Sequence, residues 1–448
     1  MSINISKGLD LPLEGNISHF ENKPETISTK RIALLGKDYH GLKPTMFVKE
    51  GEEVLQGDPL FEDKKNPGFK FLSPANGIIS EINRGDRRSF LSLVIEKNNN
   101  ENSFLINPPE KETREDACKY LIDSGTWHFF KTRPFSKVPK INTIPNEIFV
   151  SIIDSSPLSI DPLEIIDKEK DNFNTGLKFI SYIPENNVHV SVLKGSNFEC
   201  KQIEKVKYHQ FSGPHPVGLV GTQIHFLSQV SLKNVIWSIG YQEVIRLGAM
   251  LNSGYFSATK YIALAGPQVN TPCVLKTDAG SCTDELTAGM LKNEENRIIS
   301  GSVFHGHHCI GSEAFLSMFS NQISVIREAK ESDREFLNWL RPDLKKHSTL
   351  RMFFTTFFNK YKYNLSSSIN GGDRAIVPIG IYEEIFPMDL MITQLLKAIV
   401  TEDTELAQNL GVLELDEEDL SICTYSCPSK YDYGSILRNI LEKIEKDG

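Results

Sequence analysis

The sequence lacks a long apolar run, a run of basic residues and a regular spacing of its cysteines. No stretch approaches the roughly 18 uncharged apolar residues that span a bilayer, and the N-terminal residues contain no apolar signal core. We therefore expect no transmembrane helix and no signal peptide. A net charge of −9 argues against nucleic acid as a partner. Seven cysteines, scattered and odd in number, are typical of a reducing cytosol.

The composition is that of a folded protein: 448 residues, 40% hydrophobic and 24% charged, predict roughly two to four domains. Short β-rich runs separated by Gly, Pro and Asp fill residues 30–97. Two glycine-containing blocks there, 48–60 and 73–79, resemble the hammerhead of biotinyl and lipoyl domains. The hairpin between the blocks would display a carrier lysine, Lys64 or Lys65. Since it lacks Met-Lys-Met, a structural barrel-sandwich is the favoured interpretation.

The middle of the chain alternates strand-like and helix-like patterns. Strands are predicted at 147–153, 178–183, 187–192 and 234–239, and helices at 110–124 and 242–251. This alternation predicts a mainly parallel sheet with right-handed crossovers.

Two further units follow. The order strand, strand, helix, strand over residues 260–303 suits a small β-grasp fold. Beyond about residue 375 the pattern is mostly helical, with helices predicted at 388–400, 404–410 and 434–446.

Two cysteines near the C-terminus form half of an iron–sulfur motif. Cys423 and Cys427 have the C-x3-C-P spacing that ends a [4Fe–4S] ligand set, but such a cluster needs four thiolates. No other cysteine lies in the ten residues before Cys423. The pair is interpreted either as two buried thiols beside a proline turn or as the remnant of a ferredoxin-like module without its cluster.

Other motifs predict no catalytic or metal site. Residues 305–309, His-Gly-His-His-Cys, contain good zinc ligands, but no second ligand pair accompanies them, so a structural turn is favoured. The spacing of Gly213, Gly218 and Gly221 is not that of a dinucleotide-binding loop. No Ser–His–Asp, Cys–His or paired-carboxylate arrangement is evident, and no catalytic residue is assigned.

One segment combines aromatic and basic side chains. We call its members Trp127, Phe130, Arg133, Phe135 and Lys137 the aromatic–basic strip. Aromatic rings flanked by cations can hold a planar, electron-rich ring or bind an anionic partner surface. An ordered linker packed between domains explains the same pattern at least as well, so the residues alone leave both interpretations open.

Six segments, taken together, resemble one known family. They follow in order over nearly the whole chain, at residues 7–15, 62–68, 133–139, 213–222, 264–269 and 427–434. The sequence resembles the A-subunit family of the Na⁺-translocating NADH:quinone oxidoreductases. That family is similar to the C subunit of Rnf complexes and to the NADH-binding flavin subunit of respiratory complex I.

The resemblance implies a multidomain fold of α/β and β units. The expected parts are an N-terminal segment with a barrel-sandwich at 1–100, a Rossmann-like α/β domain at 101–257, an SLBB-like β-grasp at 258–330, a connecting segment at 331–374 and a helical domain at 375–448. The helical domain would resemble a ferredoxin module, with Cys423 and Cys427 as vestigial cluster ligands.

The resemblance also implies a role in a six-subunit complex. NADH is oxidised at another subunit, flavins and iron centres on other subunits carry the electrons, ubiquinone is reduced to ubiquinol, and Na⁺ is exported. This chain would bind no cofactor and lie on the cytoplasmic side of the bacterial inner membrane. Its chief partner would be the membrane subunit that carries flavin.

Within this role, the aromatic–basic strip is the expected quinone-binding surface. A cation would stabilise the developing quinone anion, and aromatic rings would enclose the quinone ring. The alternatives are a cluster-bearing electron-transfer protein, a structural or assembly subunit without quinone contact, and a carrier modified at Lys64 or Lys65.

Overall fold

The computed structural model describes residues 2–17, 24–98, 100, 102–330, 347, 349, 361–369 and 371–447. The strands are β1 (Ser2–Asn4), β2 (Glu25–Thr26), β3 (Arg31–Leu35), β4 (Pro44–Met46), β5 (Glu53–Val54), β6 (Pro59–Asp63), β7 (Lys70–Leu72), β8 (Gly77–Arg84), β9 (Phe90–Lys97), β10 (Lys131–Arg133), β11 (Ile148–Ser151), β12 (Val188–Leu193), β13 (Val206–Ser212), β14 (Ile236–Ser238), β15 (Thr259–Ala265), β16 (Cys273–Asp278), β17 (Asn296–Ser300), β18 (His307–His308) and β19 (Gln322–Arg327). The helices are α1 (Arg114–Asp123), α2 (Pro162–Lys168), α3 (Lys170–Ile180), α4 (Val220–Leu227), α5 (Tyr241–Ser253), α6 (Thr283–Thr287), α7 (Ile381–Ile385), α8 (Ile392–Val400), α9 (Thr404–Asn409), α10 (Ser421–Ser426) and α11 (Tyr433–Asp447).

The first unit consists of two small antiparallel sheets, with strand orders β3-β9-β8-β5 and β4-β6-β7. Their inner faces share a core in which the rings of Phe61 and Phe71 stack with centroids 4.6 Å apart. β6 and β7 form the hairpin predicted at residues 62–68, and Lys64 and Lys65 lie in its turn. Short, twisted strands of this kind are stable because the two sheets bury each other's apolar face.

A six-stranded sheet forms the second unit, in the order β1-β13-β12-β11-β14-β10. All its neighbours are parallel except β10, which runs antiparallel to β14. Helices α3 and α5 pack closely together. Their contact depends on two glycines, since a Cβ on Gly176 would lie 2.0 Å from the Val244 carbonyl and one on Gly248 would lie 1.7 Å from the Asn172 carbonyl.

The strand predicted at residues 178–183 is wrong. Residues 178–180 are the end of helix α3, whose buried face contains Phe173, Leu177 and Ile180, and residues 181–183 form the turn that follows it. Apolar positions at i, i+4 and i+7 follow the helical period, and the short apolar run at 178–183 is the end of that stripe and not a strand of its own. The other predicted strands of this region appear as β11, β12 and β14.

The third unit is a six-stranded sheet in the order β18-β17-β19-β15-β16-β2, with helix α6 between β16 and β17. It contains the predicted order of strand, strand, helix and strand. Its edge strand β2 comes from the N-terminal part of the chain and pairs in parallel with β16, at Leu275↔Glu25. Backbone hydrogen bonds also join unit one to unit three directly, from Ala33 N–H to the Gly280 carbonyl and from Cys282 N–H to the Arg31 carbonyl.

The C-terminal unit is helical and buries a core of its own, formed mainly by α7 to α11. Helices α8, α9 and α11 correspond to the three helices predicted from the sequence. Of the connecting segment predicted at 331–374, residues 331–346, 348, 350–360 and 370 lie outside the described residues. A search of the described residues finds no helix with the length and hydropathy needed to cross a membrane.

Candidate functional site

A cavity of about 390 Å³ lies at the carboxyl end of the six-stranded parallel sheet. Strand β11 connects through α2 and α3 to its neighbour β12 on one side, while β14 lies on its other side. The cavity is lined by residues that follow β11, such as Asp154, and by residues that follow β14, such as Gly240. Crevices at such a reversal of strand order are where open α/β sheets bind ligands.

All four units of the chain contribute to the wall of this switch-point cavity. The lining residues outside the six-stranded sheet unit are Lys37 and Asp38 from the barrel unit, Ser300, Gly301, Ser302, His305, Gly306, His307, Ser317, Phe319, Ser320, Asn321 and Gln322 from the third unit, and Glu418 from the helical unit. The site therefore exists only when the four units are assembled around it.

One side of the cavity is aromatic and cationic. The ammonium group of Lys131 lies 4.1 Å from the centroid of the Phe319 ring. Phe129 also lines the cavity, and its ring is held by the guanidinium of the buried Arg246, 4.5 Å from the ring centroid. Cation–π contacts of this kind fix ring orientation where water is excluded. The cavity thus has aromatic rings in its wall beside the positive charge of Lys131.

The floor contains a buried ion pair. Glu243, in the first turn of α5, lies 3.3 Å from the ammonium group of Lys260, and both side chains are almost fully buried. Lys260 also donates a hydrogen bond of 2.6 Å to the Met318 carbonyl. Burial lowers the pKa of Lys260, which Glu243 opposes. The Glu243 carboxylate also approaches Gly240, so this helix N-terminus already has an internal anion.

The remaining wall is acidic and contains two imidazoles, those of His305 and His307. Burial raises the pKa of both Asp154 and Glu418. His305 is exposed, and its ring makes no hydrogen bond within the described part of the chain. Although His305 is open to solvent, it lines the cavity, and partial desolvation by the lining atoms lowers its pKa, which Asp154 opposes. The cavity therefore places groups that hold or accept protons beside its aromatic faces.

The aromatic–basic strip runs along this site, but none of its five members is among the residues that line the cavity. Trp127 and Phe130 are buried in the core, each against Trp237, and the Trp127 indole donates a 2.8 Å hydrogen bond to the Pro139 carbonyl. The quinone-binding role of the strip stays a prediction. What the structure adds is that Trp127 and Phe130 are packing residues in this conformation.

Arg133 is the centre of a buried ion network with the helical unit. Its guanidinium donates a 2.9 Å hydrogen bond to Asp419 and lies 3.6 Å from both Asp416 and Glu418. Burial lowers the Arg133 pKa and the three carboxylates raise it, with a net upward shift. Arg133 therefore remains charged and ties β10 to the segment 416–419.

The other two members of the strip also contact the helical unit. Phe135 packs against its core, and its carbonyl accepts a 2.7 Å hydrogen bond from Arg438. Lys137 pairs with Glu445 on α11. Arg133, Phe135 and Lys137 therefore form part of the seam between the six-stranded sheet and the C-terminal helices, whereas Trp127 and Phe130 do not.

Among the described residues, one group has three donor atoms close enough for a metal ion: His40, Asp416 and Glu417, within 4.8 Å of one another. Arg438 already donates to both carboxylates, at 2.8 Å to Asp416 and 2.6 Å to Glu417. A guanidinium so placed supplies the positive charge that a cation would bring. Within the 305–309 motif, the Cys309 Sγ atom lies 3.8 Å from the His307 Nε2 atom.

Cys423 and Cys427 are fully buried in the core of the helical unit. The Cys427 thiol lies 3.4 Å from the Tyr433 hydroxyl, which in turn lies 3.0 Å from the Tyr382 hydroxyl. Burial raises the pKa of Cys423, whereas hydrogen bonds outweigh burial and lower the pKa of Cys427. The two thiols are thus enclosed by packing and by tyrosine hydroxyls.

Sequence reasoning did not select Phe129, Lys131, Asp154 and His305 as site residues. A signal was present for two of them, because Phe129 and Lys131 alternate with members of the aromatic–basic strip. Asp154 follows the end of a predicted strand, and ligands of open parallel sheets bind at the carboxyl ends of the strands. His305 was seen only as part of a metal-like motif.

Comparison with known proteins gives consistent matches along the chain. Residues 3–98 match the family model described as the NqrA N-terminal barrel-sandwich hybrid domain, 112–256 that of the NqrA second alpha/beta domain, and 261–310 that of the NQRA C-terminal domain. The first of these matches confirms the predicted barrel-sandwich, and the third agrees with the SLBB-like unit.

Two relatives that match over their full length have the same name. Subunits A of the Na(+)-translocating NADH-quinone reductases of Hahella chejuensis and Yersinia pestis are each 44% identical to this chain, over 452 and 451 residues, with 100% of both chains covered. A solved structure of an NAD+-reducing [NiFe]-hydrogenase covers 49% of this chain and 48% of its own at 10% identity. Its TM-score of 0.36 is too low to carry an argument.

Proposed function

Because this chain belongs to the family of A subunits of Na⁺-translocating NADH-quinone reductases, we propose that it forms part of the site where the complex reduces ubiquinone to ubiquinol. The switch-point cavity is the proposed location of the quinone ring. In this proposal electrons from NADH reach the quinone through other subunits, and the reaction is coupled to Na⁺ export.

The observation that supports this location is the pairing of flat aromatic faces with a cation. The Phe319 ring lines the cavity with Lys131 over it, and the almost fully buried Phe129 packs into the same wall. A volume of about 390 Å³ is in the usual range of small-molecule sites. Quinone reduction places negative charge on the carbonyl oxygens, and an ammonium group positioned beside the ring stabilises that charge.

The aromatic–basic strip has a place in this proposal. Lys131 adjoins the strip and provides the cation inside the cavity. Strand β10 is held in place by the packing of Trp127, Phe130 and Arg133. The helical unit that carries Glu418 is held by Phe135 and Lys137. The strip would then act on quinone reduction mainly by positioning the segment around Lys131.

The proposal includes the place of the chain in the complex. It would lie on the cytoplasmic face of the inner membrane and dock chiefly on the membrane subunit that carries flavin. Flavins and iron centres would belong to other subunits, and this chain would hold no cofactor of its own. The support is kinship with the A subunits of such complexes.

The proposal extends to the domain types and boundaries. The reversal of strand order at β11 supports a Rossmann-like α/β domain at 101–257. The buried pair Cys423 and Cys427 supports a ferredoxin-type helical domain at 375–448 that has lost its cluster. The boundaries at 100, 257, 330 and 374 stay a prediction.

The cavity assignment can be tested by filling the cavity. Ser320 lines it, is half-buried, and its hydroxyl makes no hydrogen bond within the described residues. In the assembled complex, Ser320→Trp should raise the ubiquinone KM or abolish ubiquinone reduction, and Ser320→Ala should leave both unchanged. Reduction of ferricyanide, which accepts electrons from reduced cofactors, should persist in both variants.

The opposite result favours the structural or assembly role. Normal quinone kinetics with Ser320→Trp, in a complex of normal subunit composition, would show that quinone binds elsewhere. The matched alanine variant controls for loss of the hydroxyl. Binding of a ubiquinone analogue to the purified chain, followed by tryptophan fluorescence, gives an independent readout of the same question.

A further inference from the structure

Two cavities of this protein share one wall. The switch-point cavity and a second cavity of about 530 Å³ are both lined by His305 and Gly306. The second, which we call the outer cavity, is otherwise lined mainly by residues of the helical unit, including Glu417, Asp432 and Arg438. The segment around His305 is therefore all that the two linings have in common among the described residues.

Consecutive carboxylates face the two sides of this wall. Glu417 lines the outer cavity and Glu418 lines the switch-point cavity, because the two residues are neighbours in a short 3₁₀ helix at Glu417–Leu420. Asp154 is a second carboxyl group on the inner side. Proton-holding groups thus occur in both cavities, with His305 in the wall between them.

The His305 ring is free to exchange protons. Neither ring nitrogen makes a hydrogen bond within the described residues, although the neighbouring histidines His307 and His215 each have one. The charged groups that act on it are Asp154, Asp416 and Asp419, which favour its protonation, and Lys131, which opposes it; the neutral His215 is also near. An unpaired imidazole can accept a proton on one nitrogen and release one from the other.

We propose that His305 relays protons from the outer cavity to the quinone in the switch-point cavity, with Glu417 as the outer donor and Glu418 or Asp154 as the inner one. The proposal rests on the proposed function. The reaction needs two protons and two electrons for each quinone: each carbonyl oxygen gains an O–H bond, and the ring becomes aromatic. The electrons come from NADH, which is oxidised to NAD⁺ by the complex.

The protonation behaviour of these groups agrees with the relay. Burial first, and then Asp416, raises the pKa of Glu417 to about 7, although the paired Arg438 acts to lower it. Burial raises the pKa of Glu418 as well. Since burial lowers the pKa of His305, the ring is neutral at rest and has one nitrogen without a proton. General acids work best when their pKa lies near the working pH.

The test is His305→Gln and His305→Ala in the assembled complex. Ubiquinone reductase turnover should fall at least about tenfold in both, because a positioned proton donor contributes 10²–10⁴-fold. The ubiquinone KM and ferricyanide reduction should stay within about twofold of the wild type. Added imidazole should restore part of the turnover of His305→Ala, and the solvent deuterium isotope effect on quinone reduction should increase.

A matched control is His308→Gln, which makes the same change three residues away on a side chain that lines neither cavity. Its turnover should match the wild type. Unchanged turnover in both His305 variants would overturn the relay. A loss of turnover with a raised KM and no imidazole rescue would also overturn it, since that pattern indicates a structural role.

The cavity-filling variant separates this proposal from the proposed function. If Ser320→Trp blocks quinone reduction while the His305 variants remain active, the quinone site stands and the relay is wrong. If Ser320→Trp leaves quinone kinetics unchanged, the quinone does not bind in the switch-point cavity, and the proposed relay is then wrong as well.

Discussion

Arg133 and Asp419 are 286 residues apart in the sequence and 2.9 Å apart in the structure, and both are almost fully buried. The contact joins the edge strand β10 to the segment that carries the four acidic residues 416–419. Buried charges are tolerated only when they are paired and hydrogen-bonded. The position of Glu418 in the switch-point cavity therefore depends on Arg133.

Removal of this guanidinium should destabilise the protein strongly. Arg133→Ala leaves buried carboxylates without their counter-charge, and breaking one partner of a buried pair costs about 3–5 kcal/mol. Urea unfolding followed by tryptophan fluorescence measures the loss. Lys446→Ala, at an exposed ion pair on α11, should change stability by less than about 0.5 kcal/mol. A loss below about 1 kcal/mol for Arg133→Ala would show that the pair contributes little.

A double-mutant cycle identifies the partner. Asp419→Asn removes the charge nearest to Arg133, so Arg133→Ala in that background should cost less than it does in the wild type. Equal costs in the two backgrounds would mean that Arg133 acts through Asp416 or Glu418 instead.

The acidic segment should give a measurable pH dependence. The folded pKa of Glu417 is about 7, above its ordinary value of 4.5, so the folded state binds more protons than the unfolded state between these values. Stability from this group is present below about pH 4.5 and is lost as pH rises to about 7. Glu417→Gln cannot titrate, so its stability relative to the wild type should improve across this window by on the order of 1–3 kcal/mol.

The difference between the two proteins is the quantity to measure, by urea unfolding at several pH values. Buried histidines such as His128 and His215, whose pKa values burial lowers to about 3, contribute the opposite slope between pH 3 and 6.5. Their effect cancels in the difference. A difference that stays flat from pH 4.5 to 7, or changes in the opposite direction, contradicts the assignment.

The close contact of α3 and α5 should not accept a methyl group. A Cβ on Gly248 would lie 1.7 Å from the Asn172 carbonyl oxygen, which is backbone and cannot rotate away. Gly248→Ala should therefore destabilise the protein by about 1–3 kcal/mol even though alanine favours helix. Thermal unfolding tests this, with Ser253→Ala at the exposed end of α5 as the control. A stabilised Gly248→Ala protein would mean that the helices separate readily.

The cysteines should hold no iron–sulfur cluster. Four thiolates are needed, and Cys423 and Cys427 are surrounded by Tyr382, Tyr433 and apolar side chains. The purified chain should contain far less than one iron per molecule and show no visible absorbance from thiolate-bound iron. Cys423→Ser with Cys427→Ser should keep ubiquinone reductase activity if the protein folds. Stoichiometric iron that the double variant loses would establish the electron-transfer alternative.

The parts of the fold that could be predicted are those with a local signal. The β6–β7 hairpin follows from glycine and proline turns, and α8 and α11 follow from apolar residues at helical spacing. The run at 178–183 was misread because a short apolar segment has the same appearance at the end of a helix and in a buried strand. Periodicity alone cannot separate these two cases.

The site was predicted less completely, for a physical reason. The aromatic–basic segment was identified, but the orientation of each side chain depends on partners distant in sequence, such as Trp237 for Phe130 and Asp419 for Arg133. Lys131 faces the cavity because Phe319, nearly two hundred positions later, lies there. Contacts between residues so distant in sequence cannot be recognised from local composition.

The pairing of β1 with β13 has a consequence for synthesis on the ribosome. Residues Ser2 to Asn4 take their place beside Gln210 to Ser212, in parallel register. Leu9 and Leu13, a few positions later, pack against the helical unit and beside Tyr363. Residues 2–4 therefore have no strand to pair with until β13 has been synthesised. Pairings between segments so distant in the sequence form slowly, so these residues stay accessible to chaperones during that interval.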